Sequence, residues 1–417
     1  MNVYDEVKLF LTSIVNDLDS RIGSRTIPPR DFPMILVMIP IVQKYFSVQN
    51  DWKRFGFEIC KYYKNEIEAG RIRDLSMFSG LGYVSFAVEK YSKATGELNN
   101  FSRQLNELLY IKCENLSKTL MRKQYVEMSD YDTIAGISGI VLYLVNKKVG
   151  VFPNACKYLS GLFDFDKFGE LKIRIKEKNS YTQNSDICTV GCYLNFGLSH
   201  GMIGPMLALS KLYCVQREDI FRKMILSSLN CASKIYDEYS SNEYNIKWPS
   251  QMDYRIYRKE IDQSNIEYFE YPSWCYGSLS ILNSIEIIEQ NTGLTVLQKH
   301  KFVKMGKYSE LIGLMNIHDM SLCHGLTGEV LFLKKFGVNI DLYKNKLRTI
   351  METSKQINKE EFNFYRYLYN MADNAIVRKY VGHNENLSLL EGIGGIFLTF
   401  SNIIFGDTTV EEMLFLE

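Results

Sequence analysis

The chain has almost no net charge: 49 lysines and arginines against 48 aspartates and glutamates leave +1 over 417 residues. Such a balance projects no broad field, which excludes nucleic acid as a partner and argues against charge-driven binding to an anionic membrane. Long apolar runs are also missing. The longest, Phe32 to Val42, contains Pro33 and Pro40 and falls well short of the roughly 20 residues that cross a bilayer. Residues 1–20 mix charged with apolar side chains at helical spacing, unlike the unbroken apolar core of a secretory signal. A cytosolic protein is expected, with any peripheral membrane association going through a partner. The nine cysteines are odd in number and scattered, so no disulfide framework is implied. Seven of them (Cys60, Cys113, Cys156, Cys188, Cys192, Cys214 and Cys231) read as small hydrophobes in helices.

What is present is a large apolar fraction, 46% of the residues, sufficient for a sizeable core without cross-links. A short pattern recurs in it: two glycines flanking two residues, preceded by a polar position and followed by an apolar helix. It is clean at Gly136–Gly139, Gly201–Gly204, Gly325–Gly328 and Gly392–Gly395, weaker at Gly80 and Gly277, and eroded over Asp31 to Met38. The six leading glycines are 48 to 76 residues apart, room for a helical hairpin in each unit. Stretches such as Ile140 to Leu144 and Met206 to Leu209 read as buried inner helices. Arg217 to Ser240 and Val296 to Leu314 read as outer helices with one wet face. Hairpins of this kind stack to bury their apolar faces, and six or seven close into a barrel of two concentric helix layers. One domain over residues 1–417 is expected. The glycines either spare room at crowded helix starts, supply a positive φ in the preceding turn, or both.

One segment breaks the rhythm. Within an extension at about residues 165–190, Gly169 to Lys176 alternates polar and apolar residues with period two, which predicts a short strand. The polar loop Asn179 to Asp186 that follows is a candidate for peptide contact.

Histidine is scarce, with five in the chain, and two of them, His200 and His324, stand directly before the first glycine of a repeat. Cys323 adjoins His324, and Cys275 lies two residues before Gly277 of the preceding repeat. Two cysteines and a histidine fill three corners of a zinc tetrahedron and leave the fourth for substrate, the arrangement of a catalytic site. The plainer alternative is a buried thiol beside a loop histidine. Asp132, ahead of Gly136, reads as a helix N-cap, where Asp is favoured.

Leu198-Ser199-His200-Gly201, Trp274-Cys275-Tyr276-Gly277 and Cys323-His324-Gly325-Leu326-Thr327-Gly328, in that order, closely resemble the lanthionine synthetase C-like family, the stand-alone cyclases of lantibiotic biosynthesis. Ser79-Gly80, Tyr131-Asp132 and Leu390 to Gly395 extend the similarity over most of the chain. The resemblance implies an all-α fold, an α,α-toroid of about seven helical hairpins with a small β-containing insertion. It also implies a cyclase that adds cysteine thiols to dehydroalanine or dehydrobutyrine in a dehydrated, leader-bearing precursor peptide, closing (methyl)lanthionine thioether rings. By the same carry-over Cys275, Cys323 and His324 bind one Zn2+, and His200 and Asp132 belong to the acid–base set. Tyr276 lies in the matching pocket motif. A complex with a dehydratase and a membrane exporter is implied as well. One position departs from the pattern: where family members commonly carry an arginine four residues before the first zinc cysteine, this chain has Tyr271. The alternative from another class is a non-catalytic relative that keeps zinc and binds a thiol peptide or glutathione as a scaffold.

Overall fold

A computed structural model of the chain describes residues 3–176, 191–241, 246–268, 273–299, 321–336 and 387–417. The chain divides into two compact units, the first comprising Met1–Arg71, Phe86–Asn99 and Lys304–Leu414, the second Ile72–Ser85, Asn100–Val303 and Phe415–Glu417.

In the first unit the Phe32–Tyr45 helix is buried over Pro33 to Ile39 and again at Ile41 and Val42, so the eroded repeat does start a core helix. Pro33 occupies the first turn, where a missing N–H costs nothing. This helix packs on Trp52–Glu68, while Ile393–Phe405 packs on Val3–Gly23 and on Leu326–Lys335. Gly325 and Gly392 are the N-caps of the last two repeat helices. Both helices are buried along nearly their whole length, which their apolar sequences favour by about 1.5–3 kcal/mol for each fully buried large side chain.

The second unit is organised around the Ile203–Val215 helix, which touches Ile137–Leu144, Pro153–Gly161, Asp219–Glu238 and Ser278–Thr292. Ile203–Val215 is buried on all sides from Ile203 to Ser210. Asp219–Glu238 instead buries Ile225, Leu229, Ala232 and Tyr236, at spacings of three and four, and turns its charges outward. The expected division into inner and outer helices therefore holds for the described residues. The outer-helix segment expected at Val296 to Leu314 lies beyond them from residue 300 on.

The strand expected over Gly169 to Lys176 is shorter than its pattern. Leu171, Ile173 and Ile175 are buried while Lys172 is exposed, so the alternation is obeyed. Only Ile175–Lys176 (β1) enters a ladder, antiparallel to Cys192–Asn195 (β2), which pairs in turn with Gln251–Asp253 (β3). Ahead of β1 the backbone bonds back to the preceding segment, Lys172 N–H to Asp164 O and Ile173 N–H to Leu162 O, beside an isolated antiparallel bridge between Phe165 and Leu171. The loop Asn179 to Asp186 lies outside the described residues.

The repeat glycines decide between the two readings of their motif. Gly136, Gly277, Gly325 and Gly392 have φ of −93°, −72°, −108° and −109°, and the positive-φ glycines all lie elsewhere in the described chain. Close approach is what Gly136 and Gly139 require: a Cβ would overlap the Asp132 backbone at the first and the Thr133 carbonyl at the second. Cys60, Cys113 and Cys156 are buried in helices as expected, and burial pushes the Cys60 and Cys156 thiols up to about 12. Cys231 is half-buried and Cys214 exposed, and Cys192 sits on a strand rather than a helix. Cys188 lies outside the described residues. Among the described residues no helix is long and apolar enough to cross a membrane.

Candidate functional site

Each candidate residue sits on the turn that leads into a repeat helix, and those turns share a construction. In Ser273–Gly277 the Ser273 hydroxyl oxygen accepts from the Tyr276 N–H at 3.3 Å, and the Ser273 carbonyl accepts from Gly277 N–H at 2.9 Å. In Ser321–Gly325 the corresponding distances are 3.1 Å to His324 N and 3.0 Å to Gly325 N. Ser76 treats Ser79 and Gly80 in the same way. The residue four before the glycine thus supplies an oxygen that orients the residue just before it, and that residue is Tyr276 or His324.

Asp132 occupies this position in the turn before Gly136. Its Oδ1 accepts from Ile134, Ala135 and Gly136 N–H at 3.1, 2.7 and 2.8 Å. A carboxylate has a second oxygen to spend, and Oδ2 lies 2.7 Å from His200 Nδ1. Asp132 is fully buried, whereas the His200 side chain is 21% exposed, so the imidazole reaches solvent from a fixed, charged base. Neither of its two sequence readings displaces the other: Asp132 organises a turn with one oxygen and holds an imidazole with the other. The Tyr131 hydroxyl donates to the His200 carbonyl at 3.1 Å. Burial, then the Asp132 charge, hold that phenol far above the usual range, so it remains a donor. Thr133 N–H donates to the Ser199 carbonyl at 3.0 Å, which ties the two turns together.

The turn at Gly197 to Gly201 positions Cys275 through its backbone. Leu198 and Ser199 N–H donate to the Cys275 carbonyl at 2.8 and 3.2 Å. Gly197 carries no side chain because a Cβ there would come 2.5 Å from both that carbonyl and the Tyr276 ring. The Tyr276 ring lies 6.3 Å from the His200 ring, tilted by 43°. Asn195, at the end of β2, donates from Nδ2 to the Tyr276 hydroxyl at 3.4 Å, and its Oδ1 accepts from Gly197 N–H at 3.0 Å.

Cys275, Cys323 and His324 are a set of side chains that could hold a metal ion. Both cysteines are buried. Tetrahedral zinc at about 2.3 Å from sulfur and 2.0 Å from nitrogen sets its ligand atoms roughly 3.4–3.8 Å apart. Two thiols and one imidazole are the sulfur and nitrogen donors that such an ion takes, and three of them leave one corner for an exogenous ligand. Tyr271 lies outside the described residues, as do His300, His318 and His383.

A family model for lanthionine synthetase C-like proteins matches residues 42–416. The chain belongs to the lanthionine synthetase C-like family. As a family member it is similar to the nisin biosynthesis protein NisC of Lactococcus lactis subsp. lactis, with 23% identity over 345 residues, 78% of this chain and 73% of that protein. The solved structure of a nisin cyclase matches 99% of this chain and 98% of its own at a TM-score of 0.68 and 19% identity. That likeness shows the fold, the helical α,α-toroid expected from the motifs. Two kinds of site residue had gone unread in this family member. Ser273 and Ser321 carry a signal, a hydroxyl side chain four residues before each glycine, which Ser76 also obeys. Asn195 carries none that a single sequence displays, because its contact with Tyr276 spans 81 residues.

Proposed function

We propose that the chain is a zinc-dependent cyclase that closes lanthionine and methyllanthionine rings in a dehydrated lantibiotic precursor. The observation that carries this reading is a set of two cysteines and one histidine able to hold a metal ion, in a member of this family. Cys275, Cys323 and His324 would hold one zinc ion. Bound there, the metal supplies a peptide cysteine already deprotonated, since a coordinating thiol loses its proton outright.

The rest falls to the chain's own groups. Sulfur adds to the β-carbon of dehydroalanine or dehydrobutyrine, the carbon–carbon double bond becomes an enolate, and a proton must reach the α-carbon. The thiol's hydrogen is replaced at carbon, so peptide mass is unchanged. His200 is the proton donor. Its Nδ1 faces Asp132 Oδ2 at 2.7 Å, a contact that fixes the ring orientation and leaves Nε2 as the nitrogen that exchanges protons with substrate. Asp132 stabilises the imidazolium before transfer. Tyr276 offers a hydroxyl on the same wall as His200.

The test is incubation of the zinc-loaded chain with a dehydrated, leader-bearing precursor, counting thiols by alkylation and peptide mass together. Loss of thiols at constant mass is expected. Thiols that persist with zinc fully loaded would remove the cyclase assignment and leave the scaffold reading, which gives the His200–Asp132 pair nothing to do. Association with a dehydratase and an exporter belongs to the same proposal and is tested by co-purification with each.

A further inference from the structure

The three-stranded sheet β1–β3 reaches the site through one side chain. Asn195, the last residue of β2, pairs in register with Gln251 of β3 and is 1% exposed. Its primary amide is oriented by its partners. Gly197 N–H can only donate, so the atom facing it at 3.0 Å is the amide oxygen. The amide nitrogen is then the atom turned to the Tyr276 hydroxyl at 3.4 Å and to Met128 Sδ at 3.6 Å. A Cβ on Gly201 would stand 2.5 Å from the Asn195 oxygen, so the adjoining repeat glycine leaves the space this amide fills.

An N–H that donates into a phenol oxygen sets the direction of that phenol's own hydrogen. The hydrogen cannot point back at Asn195, and donation into the oxygen polarises the remaining O–H bond. The Tyr276 ring is itself confined, lying against Gly197 where no Cβ could fit. We infer that Asn195 is a positioning residue that holds the Tyr276 hydroxyl as a hydrogen-bond donor to the enolate oxygen formed when sulfur adds to the dehydro residue. The inference rests on the cyclase reading. It gives the inserted sheet a part in the reaction and supplies an oxyanion donor in a chain that carries Tyr271 where an arginine is common.

Two exchanges separate this role from a structural one. Asn195→Asp and Asn195→Ser both keep an oxygen that accepts the Gly197 N–H, as in ordinary Asx and Ser turns, and neither offers an N–H to Tyr276. Asn195→Asp further invites the hydroxyl to turn its hydrogen inward. Both variants are expected to retain zinc and the wild-type KM for dehydrated precursor, with kcat lower by about 10–100-fold, at or below the range for loss of one oxyanion donor. In a Tyr276→Phe background the same exchanges should change kcat by no more than about twofold, because the group they orient is gone. Wild-type kcat in both single variants, or an undiminished loss in the Tyr276→Phe background, overturns the inference. A wild-type chain that consumes no thiol in the parallel assay overturns the cyclase reading and this inference with it. An active wild type with unaffected variants overturns the Asn195 role alone.

Discussion

The turns at Ser321–Gly325 and Asp132–Gly136 are built alike and used differently. In each, the residue four before the glycine accepts from the N–H just ahead of that glycine, at 3.1 Å from His324 and 2.7 Å from Ala135. Ser321 brings a single side-chain oxygen to this and points a candidate metal ligand. Asp132 spends one oxygen on the turn and the other on His200. A serine would suffice to organise the turn, so the extra oxygen is what the contact with His200 adds to the repeat.

The sharpest way to break this comparison is to remove its two halves separately. His200→Asn should keep zinc content and fold while lowering kcat for thiol loss by about 10²–10⁴-fold, the usual worth of a general acid. Equal loss of metal would move His200 into the ligand set. Asp132→Ser should restore the turn but not the imidazole partner, giving near-wild-type melting with kcat down by about 10²-fold. Asp132→Ala should lower kcat similarly and also lower the melting temperature, since it removes the acceptor of three N–H groups and strands the buried one of Gly136 at roughly 1–3 kcal/mol for an unsatisfied buried group. If the serine and alanine variants melt alike, the shared construction of the turns is not what stabilises them.

The repeat glycine and the turn serine come next in size. Gly139→Ala drives a methyl into the Thr133 carbonyl and should cost about 1–3 kcal/mol by chemical denaturation. An unchanged midpoint would mean the inner helix can back away from its own turn. Ser321→Ala removes the acceptor for His324 N–H and should cost about 1 kcal/mol as a lost turn hydrogen bond. Zinc affinity, read by competition with a chelator, should weaken because a ligand's turn is loosened. Ser76→Ala should cost similar stability with no change in zinc affinity.

Much of this was legible before any coordinates. Glycine pairs ahead of apolar stretches marked the starts of the repeat helices, because crowding at a helix start is written directly in residue size. Cys275, Cys323 and His324 were found by their register against those glycines, and the same register gave His200. The sheet was legible only in part. Alternation at Leu171, Ile173 and Ile175 encodes which side chains are buried, but ladder formation depends on where a partner strand lies, and β2 and β3 are separated by more than fifty residues. The glycine motif left two readings open for a related reason: it shows that a Cβ is unwelcome without showing whether φ or a neighbouring carbonyl forbids it.

Asp166 sharpens the comparison from outside the site. Like Asp132, it gives Oδ1 to backbone N–H groups, of Phe168 at 2.8 Å and Glu170 at 3.0 Å, and Oδ2 to a side chain, Arg174 at 2.7 Å. Division of a carboxylate between a turn and a cation is therefore not a mark of chemistry in this chain. What distinguishes Asp132 is a partner that can surrender a proton. Partial desolvation raises the Asp166 carboxyl, but the Glu170 N–H, Arg174 and the Phe168 N–H outweigh it and hold the group at about 2 against its ordinary 3.8. A depressed folded-state value means the ionised form is favoured by folding. The stabilisation is fully present above about pH 4 and is lost as the pH falls toward 2. Amide exchange across residues 166–176 should accelerate in that window for the wild type, and Asp166→Asn should remove the pH dependence. The effect is small because Arg174 and Asp166 are partly exposed, where ion pairs contribute little. Exchange that stays flat from pH 4 to pH 2 would mean the turn before β1 is held by burial of Leu171 and Ile173 instead.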